Sequence, residues 1–300
     1  MTPPHPYLYG TGDRQTAIAA EVAAVRGYAD MALWNAQWGL NVDVSNPTGT
    51  FAGLNITGPS ARAVLSALPG DIDFGRAAFP YLTGREGQVA GIPLRAMRIG
   101  FTGELSYELH CPASLAPALW DAVMVAGTPL GLRPYGLEAS RILRLEKRHI
   151  LIEQNTDAIS SPDALGMAWA LTMKKPFFVG KRSVEMRRRL GIARRLVPLA
   201  FPPGTGALGE SCLVLQNGTP AGHLTSVALS PTLGHPIALA FVPAELAAPG
   251  TPGTIRNRSG TCPARRCRVP SPAFARSICG LGGSPPTPSR RPGSPISMPS

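Results

Sequence analysis

The chain has 300 residues, 44% of them apolar and 16% charged, with 33 glycines, 32 prolines and a formal charge of +11. That is core material for one large domain or two ordinary ones, and no apolar run approaches the roughly 18–20 residues of a membrane span. Five scattered cysteines with no CxxC pair speak against a disulfide framework or structural zinc, and the opening MTPPHPYLYG lacks the basic start and apolar stretch of a secretory signal, so a cytoplasmic chain is expected.

Residues 15–38 read as a helix ended by Gly39. Strands are expected over 40–45 and 50–56, on either side of the turn cluster Asn46-Pro47-Thr48-Gly49. Pro59 then suits the first turn of a short helix reaching Leu68. Two more strands are expected over 88–99 and 104–110. A helix from Ser114 carries Leu115, Leu119, Val123 and Ala126 on one stripe and closes at Gly127, and a strongly charged helix follows over 134–149. Together these elements predict an α+β body of strand–helix–strand units, assigned to residues 1–176. Arg187, Arg188, Arg189, Arg194 and Arg195 read as a solvated helix face plus linker. Short strands follow, with Asn217-Gly218 between 212–215 and 221–227 as a hairpin signal, so residues 177–252 are expected to form a small all-β, barrel-like domain.

The charge is uneven. No acidic residue follows Glu245, while Arg256, Arg258, Arg265, Arg266, Arg268, Arg276, Arg290 and Arg291 supply eight positive charges, so the rest of the chain carries only +3. Ten of the 32 prolines also fall in the last fifty residues. Residues 253–300 are accordingly expected to be a disordered Arg/Pro-rich tail. A sharper reading is a basic arm for nucleic acid; a third, favoured on composition, is an out-of-frame translation of a GC-rich gene.

Chemical motifs are sparse. Residues 204–209 match GxGxxG, but prolines precede them and a strand-like stretch follows, so a loop is expected rather than a site for NAD or FAD. The five histidines show no metal-ligand spacing, no Gly-x-Ser-x-Gly elbow occurs, and Cys111 reads as a buried structural thiol. In FTGELSYELH (101–110), an extended strand puts Leu105, Tyr107 and Leu109 on one side and Glu104, Ser106, Glu108 and His110 on the other. The plain reading is a strand with one wet face. Arg141 lies at the edge of the apolar stripe of its helix, where a guanidinium either snorkels outward or meets a buried anion.

Five stretches in unbroken order carry a family resemblance: LNITGPSAR (54–62), RIGFTGELSYELH (98–110), GLRPYGLEASRILRLEKRHI (131–150), DALGMAWAL (163–171) and KPFFVGKRS (175–183). A sixth, LTSVALSPTLGHPIALAFVP (224–243), extends it through the β domain. Together they resemble the aminomethyltransferase (glycine-cleavage T-protein) family, in particular the carboxy-terminal part of the sarcosine oxidase alpha subunit. The resemblance implies a tetrahydrofolate site between the domains. Glu108 would receive the donors of the pterin ring, Phe101 would pack against the pterin, Arg141 would lie near the folate's polar end or hold the carboxylate, and Trp169 would help wall the cavity. It implies transfer of a one-carbon unit from an amine-derived imine or aminomethyl donor to tetrahydrofolate, giving 5,10-methylenetetrahydrofolate, with other sarcosine oxidase-type subunits as candidate partners.

Full-length members begin upstream and carry there an aspartate beside the folate amine; nothing in residues 1–35 resembles it, so a truncated member lacking that acid is expected and no catalytic residue is assigned. One rival reading on the same fold is a folate-binding iron–sulfur-assembly or RNA-modification factor, but KKPFFVGKR lacks the cysteine of that branch's KGC motif. The other rival is nucleic-acid binding through the tail.

Overall fold

The structure is a computed structural model that describes residues 14–157, 159–206, 208–257 and 260–266. Helix α1 (Arg14–Trp38) ends at Gly39, whose φ of +60° is a left-handed conformation that glycine adopts freely. Residues 40–45 are not the expected strand. Asn35 and Tyr28 on α1 donate to the carbonyls of Val42 and Val44, which occupies backbone groups that a strand ladder would use.

Four strands then make an antiparallel sheet: β1 (Phe51–Thr57), β2 (Gly84–Val89), β3 (Ile92–Met97) and β4 (Ser106–Pro112), in the spatial order β1-β4-β3-β2. The strand expected over 88–99 is instead a hairpin. Ala90 (φ +52°) and Gly91 (φ +75°) form a two-residue turn between the paired Val89 and Ile92, the twist that suits antiparallel neighbours. Period-2 alternation buries Leu54, Ile56, Tyr107, Leu109 and Cys111 against α2 (Ala61–Ser66) and α3 (Ala116–Gly127), whose Leu119 and Val123 are buried as the stripe predicts. Cys111 is fully covered, and burial pushes its thiol pKa up. The opposite face of the sheet carries Gly53, Asn55, Glu108 and His110.

Helix α4 (Leu137–Glu146) connects this body to the second unit, and α5 (Lys181–Leu190) follows a long connection. The basic cluster on α5 does more than face solvent. Arg187 donates to the carbonyl of Ile159, and Arg188 holds Asp163 through two bonds at 2.8 and 2.9 Å.

Beyond α5, β5 (Arg194–Ala200), β6 (Leu213–Gln216), β7 (Thr219–Ser230), β8 (His235–Pro243), β9 (Pro252–Asn257) and β10 (Gly260–Arg266) close into a barrel in the order β10-β5-β8-β7-β6-β9. Asn217 (φ +49°) and Gly218 (φ +80°) turn β6 into β7 as their sequence predicts. The domain boundary at 252 and the disordered reading of 253–300 need correction, because β9 and β10 supply two of the six barrel strands. Ile255 and Ala264 are fully buried in the barrel core. Pro263 is tolerated because β10 meets β5 only at Arg265 and Arg266, leaving the proline opposite β9 alone. The rest of that tail, 267–300, lies outside the described residues.

A buried guanidinium joins the two units. Arg144, on α4, is 1% exposed and donates from Nη1 to the His149 carbonyl (3.1 Å) and Asn155 Oδ1 (2.9 Å), and from Nη2 to Gln154 Oε1 (3.3 Å) and Ser226 Oγ (2.9 Å) on β7. Asn155, fully buried, passes the connection on by donating to Thr225 and Ser226. Beside it, Leu145 packs on Ile237 and Leu239 of β8, and Ser230 and Thr232 donate to Glu146. A lysine at position 144 would keep the charge but could not fork to both sides. Arg144→Lys should therefore lower unfolding stability by about 2 kcal/mol in a urea titration, and a loss below about 0.5 kcal/mol would overturn this account of the junction.

Asp157 makes a second cross-connection, accepting from Ser160 and from Arg194 on β5, each at 2.6 Å. The Ser160 hydrogen bond and the Arg194 guanidinium hold its pKa at about 2, below the usual 3.8. A depressed carboxylate stabilises the fold fully above pH 3.8 and loses that contribution as pH falls towards 2. Asp157→Asn should lower stability at pH 7 by no more than about 1 kcal/mol for so exposed a pair, seen as a slight drop in melting temperature, and should flatten the fall in melting temperature between pH 4 and 2. Parallel acid titrations of the two proteins check this.

Candidate functional site

β4 places Glu108 and His110 two residues apart, so both project from the sheet face opposite the core. His110 Nε2 lies 3.2 Å from Glu108 Oε2, and each side chain is 32% exposed. Directly across on β1, Asn55 pairs in register with Glu108, and Gly53 pairs with His110. Asn55 donates to Ser106 Oγ (3.0 Å) and accepts from the Tyr135 hydroxyl (2.7 Å), which draws the segment before α4 over the sheet. Burial and then the charge of Glu108 push the Tyr135 hydroxyl pKa up, which keeps it a neutral donor. The result is a shallow polar floor. Among the described residues, the Glu108 carboxylate has its one hydrogen bond at Oε2, and Oε1 makes none.

The loop between β3 and β4 closes one end of this floor. Thr102 and Thr57 share a hydrogen bond of 2.8 Å, and Arg98 donates to the Phe79 carbonyl (2.9 Å). Gly103 sits at φ +84°, where any Cβ would run into the Lys147 side chain, so glycine lets the loop lie flat on the end of α4. Phe101, half-buried in that loop, stacks on His149 with ring centroids 5.8 Å apart, and His149 Nδ1 donates to the Phe101 carbonyl (2.5 Å).

The four residues named from the sequence therefore sit differently. Glu108 lies on the polar floor, and Phe101 lies in the loop at its end. Arg141, on α4, makes ion pairs with Glu138 (3.7 Å) and Glu210 (3.5 Å), beside the buried Arg144. The charge of Arg141 adds to the burial that lowers the Arg144 pKa to about 10, while Glu210 opposes the shift. Two exposed glutamates thus flank Arg141, and one of them, Glu210, precedes the barrel strand β6 and is also contacted by Gln154. Trp169 stands on a 3₁₀ turn with 69% of its surface exposed. His110, Asn55, Tyr135 and Arg144 were not singled out by sequence. The i, i+2 spacing of Glu108 and His110 was visible, but the cross-strand partners that orient them need the register. Among the described residues no cluster of three or more His, Cys, Asp or Glu could hold a metal ion, and no helix is long and apolar enough to cross a membrane.

Residues 8–175 match the GCVT N-terminal domain, and residues 194–272 match the glycine cleavage T-protein C-terminal barrel domain. The second match extends past 252, in agreement with β9 and β10. The chain is 34% identical to the aminomethyltransferase of Halothermothrix orenii over 221 residues, covering 73% of this chain and 61% of that one. It is 36% identical to the sarcosine oxidase subunit alpha of Rhizobium meliloti over 239 residues, covering 76% of this chain and 23% of the relative. The crystal structure of the glycine cleavage system aminomethyltransferase T from Bartonella henselae superposes with a TM-score of 0.65 at 25% identity, over 73% of this chain and 59% of that one. The chain spans 54–62% of the length of four bacterial aminomethyltransferases that it matches. With family domains matched over both the sheet body and the barrel, the chain belongs to the glycine cleavage T-protein family.

Proposed function

We propose that the chain provides the folate-binding surface of an aminomethyltransferase-type enzyme. It would take up tetrahydrofolate and transfer to it a one-carbon unit from an amine-derived imine or aminomethyl donor, giving 5,10-methylenetetrahydrofolate. The observation that carries this reading is the half-exposed Glu108 carboxylate, held through Oε2 and open at Oε1, on a floor bounded by Asn55, Tyr135 and the Phe101 loop. A reduced pterin offers adjacent N–H and amino donors, and a carboxylate accepts two parallel donors with its two oxygens. Phe101, stacked on His149, offers an aromatic edge at the end of that floor. Arg141 and the exposed Trp169 are proposed for the outer, polar part of the ligand, where a guanidinium suits the glutamyl carboxylates of folate.

Tetrahydrofolate supplies the nucleophilic nitrogens that accept the one-carbon unit. The chain's own residues bind the ring and fix its orientation. The relative from Rhizobium meliloti is named as a subunit, so sarcosine oxidase-type partner subunits belong to the same proposal. Folinate at about 100 times its dissociation constant should stabilise the full chain by about 2.7 kcal/mol, seen as a melting-temperature rise of several degrees. Glu108→Ala should abolish the rise while leaving the unliganded melting temperature unchanged, because the side chain lies outside the core. No shift at millimolar folinate would overturn the proposal.

A further inference from the structure

We propose that His110 is a positioning residue for Glu108 and that Gly53 is its seat; this deepens the folate reading and rests on it. β1 and β4 pair Gly53 directly opposite His110. A Cβ built on Gly53 would stand 3.3 Å from His110 Cε1 and 3.4 Å from Nδ1, so the imidazole lies against bare backbone, where a side chain would press on it. With the ring there, Nε2 comes to 3.2 Å from Glu108 Oε2. An ionised carboxylate can only accept, so Nε2 carries the hydrogen and donates it.

The remaining neighbours fit this role. On the other side of β4, Arg95 of β3 pairs in register with His110. Arg95 is itself engaged by Glu86 on β2 through bonds of 2.8 and 2.5 Å, which turns its guanidinium to the opposite strand. Glu108 faces Asn55 across β1 and the neutral Tyr135 hydroxyl above it. His110 is thus the group that anchors the Oε2 end of the carboxylate. A glutamate otherwise samples many rotamers, and a ligand needing both oxygens must freeze them on binding. Anchoring Oε2 beforehand through one of its lone pairs leaves Oε1 and the other Oε2 lone pair for the incoming amino and ring N–H donors, and removes part of that cost.

The test separates this role from packing by reach. Glutamine Nε2 lies as many bonds from Cα as His Nε2, whereas asparagine Nδ2 matches only Nδ1. With folinate titrated calorimetrically into the full chain, His110→Ala should bind about 3- to 10-fold more weakly at an unchanged unliganded melting temperature. His110→Gln should return to within about twofold of the parent, His110→Asn should stay weak, and Gly53→Ala should weaken binding by displacing the ring. Equal binding by His110→Ala, or rescue by asparagine as well as by glutamine, would overturn the proposal.

A ligand-free arm distinguishes failure of this inference from failure of the folate reading. Imidazole nitrogen chemical shifts at about pH 8 should show His110 fixed as the Nε2–H tautomer, and Glu108→Ala should release it to a mixture. If the parent ignores folinate while the tautomer responds to Glu108→Ala, the folate reading falls and the pairing stands. If folinate binds and the tautomer ignores Glu108, the positioning role falls and the folate reading stands.

Discussion

A guanidinium 1% exposed and bonded only to neutral acceptors sets the geometry of this molecule. Taking Arg144 out of water, together with the charge of the neighbouring Arg141, lowers its pKa to about 10 against the pull of Glu210. Such a charge is tolerated where most of its hydrogen bonds are made: four acceptors from α4's own exit, the 154–155 segment and β7 serve Nη1 and Nη2, while Nε is buried with no partner among the described residues. The arrangement fixes α4 against the barrel. α4 in turn reaches the sheet from both ends: Tyr135 just before it bonds to Asn55, and His149 just after it stacks on Phe101. The polar floor around Glu108 therefore takes its borders from a contact made on the far side of the helix.

This dependence explains what could be read in the sequence and what could not. The alternation in FTGELSYELH placed Tyr107 and Leu109 inside and Glu108 and His110 outside, and the structure keeps that partition because period 2 is local. The stripe Leu119 and Val123 and the Asn217-Gly218 turn were legible for the same reason. The hairpin at Ala90-Gly91 was missed because neighbouring apolar residues on both strands make one continuous-looking run. On α4, the sequence drew attention to Arg141 at the edge of the stripe, while the buried cation is Arg144, three residues on. Its acceptors arrive from residues 149 to 226, and no helical period predicts them.

Composition misled most at the end of the barrel. Arginine, proline and the lack of acids made residues 253–266 look unlike a folded segment, yet few inward side chains join these strands to the core: Ile255 from β9, and Ala264 with the partly buried Cys262 from β10. A closed barrel holds such a strand by pairing it on both sides, so the ladder supplies what the side chains do not. Arg256, Arg265 and Arg266, counted from composition as parts of a free basic arm, lie on these barrel strands. The charge asymmetry is real, but in this stretch it decorates a sheet.

The carboxylate at the centre of the proposed site shows how little machinery such a surface requires. Glu108 owes its orientation to its strand register, to a histidine two residues away and to a glycine across the ladder. None of these residues is exceptional alone, and each has a plain structural reading when taken singly. Their effect comes from the register, which sets the missing Cβ of Gly53 beneath the imidazole and Asn55 beside the carboxylate. A slip of one residue between β1 and β4 would turn Asn55 and Gly53 away and bring Leu54 to the floor, leaving Glu108 with an apolar neighbour and no seat for its histidine. The core that fixes this register, Leu54 and Ile56 packed with Tyr107 and Leu109, is for that reason as much a part of the site as the carboxylate itself.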